Sequence, residues 1–126
     1  MRIPAFLTAL ALSALAPAAL LAHVELAAST PAAGSAVKAP QAITLTFSEP
    51  VDPATAAASI IMTAMPGMAN HGEMQIRNFT AGWSDDGRTM TLALRKPLPT
   101  GSYDVRWQAA AKDGHAMSGT VTFDVK

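Results

Sequence analysis

The chain has 126 residues, nine basic against nine acidic side chains, and hydrophobic residues at half of its positions. Zero formal net charge gives no reason to expect a nucleic-acid surface or a stably bound anionic membrane as partner. The absence of cysteine excludes a disulfide framework and a blue-copper electron carrier, whose metal needs a thiolate, and leaves methionine as the soft ligand available.

Arg2 precedes an apolar run over 5–21 that ends in Leu20-Leu21-Ala22, the pattern of an export leader with a small residue at its cleavage point. The run falls short of the roughly 20 residues that span a bilayer, and Pro17 interrupts it. A signal peptide is therefore expected at 1–22, and 23–126 then forms a single domain of 104 residues around one core. Cleavage after Ala18 instead would leave four residues ahead of His23. After the expected cut, His23 is the first residue and carries two metal-capable nitrogens, the α-amine and the imidazole.

Beyond His23 the apolar pattern has a short period and dense punctuation by proline and glycine, which is an all-β signature. Strands are predicted at 24–29, 43–47, 59–62, 73–80, 89–94, 102–109 and 119–125. Alternation is clean in three of them: Ile43, Leu45 and Phe47 share one face, as do Met90, Leu92 and Leu94, and Val121, Phe123 and Val125. A helical turn is expected within 52–58 after Pro53. Seven short strands in about 100 residues predict a Greek-key sandwich or barrel, immunoglobulin-like or cupredoxin-like, with the strand order left open. Trp83 and Trp107 are assigned to core or edge packing, and Met90 and Met117 to the core.

Two constellations carry chemistry. Met62, Met65, Met68, His71 and Met74 fall within thirteen residues, and these are four of the six methionines that follow the leader. A helical core stripe would show the same spacing, but Pro66-Gly67 sits in its middle and favours a turn. Thioethers on a loop, together with an imidazole, suit Cu(I) and suit calcium, magnesium or zinc poorly. Met62, at a strand end, is the one of the four most suited to the core.

The second constellation is Asp113-Gly114-His115, expected as the turn between the last two strands. Alone it is an ordinary turn. Combined with the amine and imidazole of His23 it makes an N3O set suited to tetragonal Cu(II). Glu49, between Phe47-Ser48 and Pro50, is either a charged strand end or a carboxylate that orients a ligating imidazole.

From His23 to Lys126 the sequence resembles the CopC family of periplasmic copper-binding proteins, including the related PcoC proteins. The stretches that carry the likeness are His23, Ser29-Thr30-Pro31-Ala32-x-Gly34-Ser35, Phe47-Ser48-Glu49, Met62-Thr63-Ala64-Met65-Pro66-Gly67-Met68, Gly101-x-Tyr103-x-Val105-x-Trp107, Asp113-x-His115 and Gly119-x-Val121-x-Phe123. The resemblance implies a seven-stranded Greek-key β-barrel with separate sites for two copper oxidation states. It matches His23, Asp113 and His115 to Cu(II) ligands, and Met62, Met65, Met68, His71 and Met74 to a Cu(I) loop. Glu49 matches a carboxylate near the Cu(II) site. This chain departs from the familiar pattern at Ala69-Asn70, which makes the loop one residue longer, and at Gly72-Glu73, which replaces Ser-Pro.

The function expected is that of a soluble, non-enzymatic periplasmic carrier of Cu(I) and Cu(II), for copper homeostasis and resistance. The resemblance implies a CopD-type membrane copper transporter or a periplasmic multicopper oxidase as partner. Two other classes compete. A copper monooxygenase also uses an amino-terminal histidine with a second histidine, though here Asp113 would occupy the position oxygen needs. A non-metal immunoglobulin-like interaction module would leave the methionines and histidines without a ligand.

Overall fold

A computed structural model describes residues 24–68 and 72–126. The expected leader at 1–22 and two of the three histidines, His23 and His71, lie outside the described residues.

Two sheets pack face to face. The first has four strands in the order β1 (Leu26–Thr30), β3 (Ala42–Phe47), β7 (Thr89–Leu94), β6 (Phe79–Trp83). The second has five, in the order β2 (Ala36–Val37), β9 (Ala116–Val125), β8 (Gly101–Ala110), β4 (Ala57–Ala64), β5 (Met74–Ile76). All named pairs are antiparallel except β2 with β9. The predicted sandwich is the architecture formed, and the sheets do not close into a barrel. The described strands number nine rather than seven. The turn after Pro53 is a three-residue 3-10 segment, Pro53–Thr55, capped by the Asp52 carboxylate, which accepts from Ala54 N at 3.0 Å. Among the described residues no helix is long and apolar enough to cross a membrane.

The core follows from the period-2 patterns. Ile43, Leu45 and Phe47 of β3 and Leu92 of β7 face Tyr103, Val105 and Trp107 of β8 and Val121 and Phe123 of β9 across the sandwich, all at most 7% exposed. Their burial is the main stabilising term in a chain without disulfides. Tyr103 stacks on Phe123 at 5.7 Å and donates its hydroxyl to Pro99 O at 2.6 Å, so burying the ring leaves no polar atom unpaired. Burial also pushes its pKa up to about 12.

The main correction concerns the predicted strand at 73–80. It is two strands, β5 in one sheet and β6 in the other, joined by Arg77-Asn78. Ile76 and Phe79 are three residues apart, so a single extended strand would point them to opposite faces. Both pack against the core because the chain crosses between sheets at the polar pair.

β8 and β9 run the length of the molecule and define its two ends. Gly101 and Val125 pair at one end, Ala110 and Ala116 at the other.

Candidate metal sites

The hairpin end is built by β8 and β9. Their turn closes with Ala111 N donating to His115 O at 3.2 Å and Gly114 N donating to Ala111 O at 2.9 Å. Gly114 takes φ +91, a left-handed conformation that a side chain would resist. Asp113 then folds back on His115: Oδ1 accepts from His115 N at 3.0 Å and Oδ2 lies 3.0 Å from His115 Nδ1. With the proton on Nδ1, this contact fixes the ring and puts the metal-binding lone pair on Nε2. The hydrogen bond from the His115 side chain, followed by that from its backbone, holds the Asp113 carboxyl below the usual aspartate range. Both side chains are about half exposed, at 49% and 52%, so the pair is open to a metal ion from solution.

Other segments converge on the same end. Glu25 N donates to Ser48 Oγ at 2.9 Å and Ser48 N donates to Glu25 O at 2.8 Å, which stitches the start of the described chain to the end of β3. Val51 bridges Ala111, and Asp52 N donates to Ala110 O at 3.2 Å, which ties that segment to the hairpin base. Val24, the residue after His23, is fully buried and belongs to the core. Half-buried Glu49 lies within this stitched segment, between Ser48 and Pro50. Beneath it Phe47 meets Trp107 edge-on at 5.2 Å and stacks on Trp83 at 6.1 Å, an apolar floor that fixes where the chain leaves β3. Met117, two residues past His115, is half-buried against that core. Among the described residues, His, Asp and Glu side chains form no cluster of three or more that would hold a metal.

The methionines occupy the opposite end. Met65-Pro66-Gly67-Met68 is a tight turn, with Met68 N donating to Met65 O at 3.2 Å and Gly67 at φ +78. Proline second and a left-handed glycine third is the type II arrangement, so Pro66-Gly67 interrupts any helix, as its chemistry predicts. Met68 and Met74 are 53% and 47% exposed, the large hydrophobic side chains that the described residues leave in water. Met65 is half-buried, and Met62 is 1% exposed. Met62 and Met74 are direct cross-strand partners on β4 and β5, so a fully buried methionine neighbours an exposed one. The structure therefore brings Met65, Met68 and Met74 to one end and sinks Met62 below them.

One set of residues escaped the sequence reading. Glu73, adjacent to Met74, accepts from Arg106 Nη2 at 2.8 Å and Nη1 at 3.3 Å, and Asp104 accepts from the same Nη2 at 3.3 Å. The hydrogen bond from Arg106 lowers the Glu73 pKa. The contact fixes where β5 begins. Its only sequence signal was the alternation of Asp104 and Arg106 on the outer face of β8, which reads as ordinary surface charge.

The two ends are far apart. Nine residue rises along β8 separate Gly101 from Ala110, about 30 Å at roughly 3.3 Å each.

The sequence profile of the CopC domain matches residues 26–126. The copper resistance protein C of Pseudomonas syringae pv. tomato is 41% identical over 121 residues, covering 96% of this chain and 94% of that protein. The copper resistance protein C of Escherichia coli is 42% identical over 106 residues, covering 84% and 83%. The crystal structure of PcoC, a methionine-rich copper resistance protein from Escherichia coli, superposes with a TM-score of 0.75 at 39% identity, covering 83% of this chain and all of that one.

Proposed function

The chain belongs to the CopC domain family, and from that membership we propose that it is an exported, periplasmic copper-binding protein that sequesters or carries copper for homeostasis and resistance. The leader at 1–22 is removed, and the α-amine and imidazole of His23 join Asp113 and His115 as a Cu(II) site at the hairpin end, with Glu49 orienting an imidazole. Met65, Met68, His71 and Met74 hold Cu(I) at the other end, with Met62 buried on the strand beside Met74. The observation that carries this reading is the exposure of Met68 and Met74 beside a rigid turn, where apolar side chains gain nothing from packing and soft sulfur gains a metal.

The protein carries the ion and does not turn over a substrate. Asp113 already lies against His115, so a metal there meets a carboxylate where an oxygen-activating enzyme needs an open position. A CopD-type membrane transporter or a multicopper oxidase is the proposed recipient.

Titration of the processed protein tests both sites. One equivalent of Cu(II) is expected to give a tetragonal, nitrogen-rich EPR spectrum that His115→Ala abolishes. Cu(I) is expected to compete with a chromophoric chelator in wild type and to lose most of that competition in Met65→Leu/Met68→Leu. An unchanged Cu(II) spectrum in His115→Ala would remove the Cu(II) assignment. Sustained, substrate-dependent oxygen consumption by the copper-loaded protein would favour the monooxygenase reading instead.

A further inference from the structure

Acidic and basic side chains are equal in number, but the fold sorts them by end. Glu25, Glu49, Asp52, Asp85, Asp86 and Asp113 all lie at the hairpin end. The first three and Asp113 belong to the segments stitched together there, and the β6–β7 turn joins them because Val51 N donates to Gly87 O at 2.9 Å and Arg88 Nη1 donates to Ser48 O at 2.9 Å. Among the described residues the cationic side chains at that end are Arg88 and Lys112, leaving an excess of four negative side-chain charges. At the methionine end β2 pairs with the last residues of β9, and Lys126 N donates to Val37 O at 2.9 Å, so Lys38 and Lys126 stand side by side. Arg95 and Lys96 leave β7 in a loop fastened there by Leu98 N donating to Pro40 O at 3.3 Å. Among the described residues Asp124 stands against these four exposed cations, while Glu73 and Asp104 are offset by Arg106 and Arg77 beside β5, which leaves an excess of three positive side-chain charges. A groove of about 320 Å³ lies between Met65-Pro66 and Asp124-Val125, so the methionine turn neighbours the end of β9, one residue before Lys126.

A face of this sign repels a bare metal cation and draws in anions. Cu(I) bound by halide or by anionic organic ligands travels as a complex of net negative charge. We propose that the methionine end takes up Cu(I) from small anionic complexes, which its lysines and arginines steer to the turn while the carboxylates of the hairpin end turn them away. The inference rests on the Cu(I) reading of that turn and adds the form in which the ion arrives. Transfer is a ligand exchange: Cu–N or Cu–halide bonds break, Cu–S bonds to the thioethers form, the anionic ligands leave, and copper stays in the +1 state.

Stopped-flow transfer from the bis(bicinchoninate)copper(I) trianion provides the test, with the tetrakis(acetonitrile)copper(I) cation as second donor. Raising ionic strength from about 10 mM to about 150 mM shortens the screening length from about 30 Å to about 8 Å. The rate from the trianion is expected to fall about tenfold, within the range of electrostatic steering, and the rate from the cation is expected not to fall. Reversing three exposed cations in Lys38→Glu/Lys96→Glu/Lys126→Glu is expected to slow uptake from the trianion by about tenfold at low salt, without changing Cu(I) stoichiometry or the Cu(II) EPR spectrum. Asp85→Lys, at the far end, is expected to change it less than about twofold, because distance screens the new charge. Equal salt dependence for both donors, or an unaffected triple variant that still binds Cu(I), overturns the inference alone. Failure of the wild-type protein to take copper from either donor overturns the Cu(I) reading and this inference together.

Discussion

Asp113 and His115 form a two-residue device whose parts have different acid sensitivities. The hydrogen bonds from the His115 ring and backbone hold the Asp113 carboxyl below the ordinary aspartate value of 3.8. A depressed carboxylate stabilises the fold above its unfolded pKa and loses that contribution only as pH falls through the lower folded value, so Asp113 remains charged at pH 5. The proposed nitrogen ligands behave otherwise, because imidazole and α-amine nitrogens bind a metal only when deprotonated and protons compete for them as pH falls. Proton competition is therefore expected to weaken Cu(II) binding at least about a hundredfold between pH 7 and pH 5. Thioethers do not protonate in this range, so Cu(I) affinity at the methionine turn is expected to change by less than about thirtyfold, the most that one imidazole ligand contributes. EPR titration for Cu(II) and chelator competition for Cu(I), each at both pH values, checks the difference. Parallel loss of both ions would contradict the assignment of different donor sets to the two ends.

The pairing of β8 with β9 is the element on which the hairpin site stands, and its tightest point is Gly119 opposite Trp107. A methyl group there would meet the indole Cζ2 at 2.8 Å. That ring cannot retreat freely, because Phe47 lies edge-on at 5.2 Å and itself stacks on Trp83. Gly119→Ala is expected to cost about 1–3 kcal/mol, the usual range for overpacking a filled core, seen as a lower urea midpoint at an unchanged slope. An unaltered midpoint would show that the aromatic floor yields more easily than its packing implies. Strands with strict alternation were legible in the sequence: the predicted 89–94 coincides with β7, and 43–47 differs from β3 by one residue. The break at Arg77-Asn78 was less legible, because a polar pair within an apolar window looks like a solvent-facing stretch until Ile76 and Phe79 are required to share a core. The two-residue β2 carries no periodicity at all, and its pairing with β9 depends on where the chain returns in space. At the methionine loop, Pro66-Gly67 announced the turn through local backbone chemistry, whereas the contact of Glu73 with Arg106 spans 33 residues of sequence and left no local trace.

At the scale of the whole molecule the decisive quantity is the length of β8, which holds the two proposed copper sites about 30 Å apart at roughly 3.3 Å per residue. The hydrogen-bonded ladders on either side of β8 leave no hinge between them. A copper ion that changes oxidation state, and with it its preferred ligands, therefore cannot pass from thioethers to imidazoles within one copy, and must leave one molecule to reach another site. Sites so distant and sharing no partner are expected to behave additively, so His115→Ala leaves the Cu(I) titration unchanged. The same separation predicts kinetics. When protein loaded with Cu(I) alone is oxidised, the Cu(II) signal of the hairpin end should grow at a rate that rises in proportion to protein concentration, because each transfer is an encounter between two copies. Freeze-quenched EPR over a tenfold range of protein concentration, with oxidant in excess, measures that dependence. A rate independent of concentration would mean that the ion travels within a single molecule or through a slow release step, and would require either a closer approach of the two ends than this sandwich allows or copper free in solution as the intermediate.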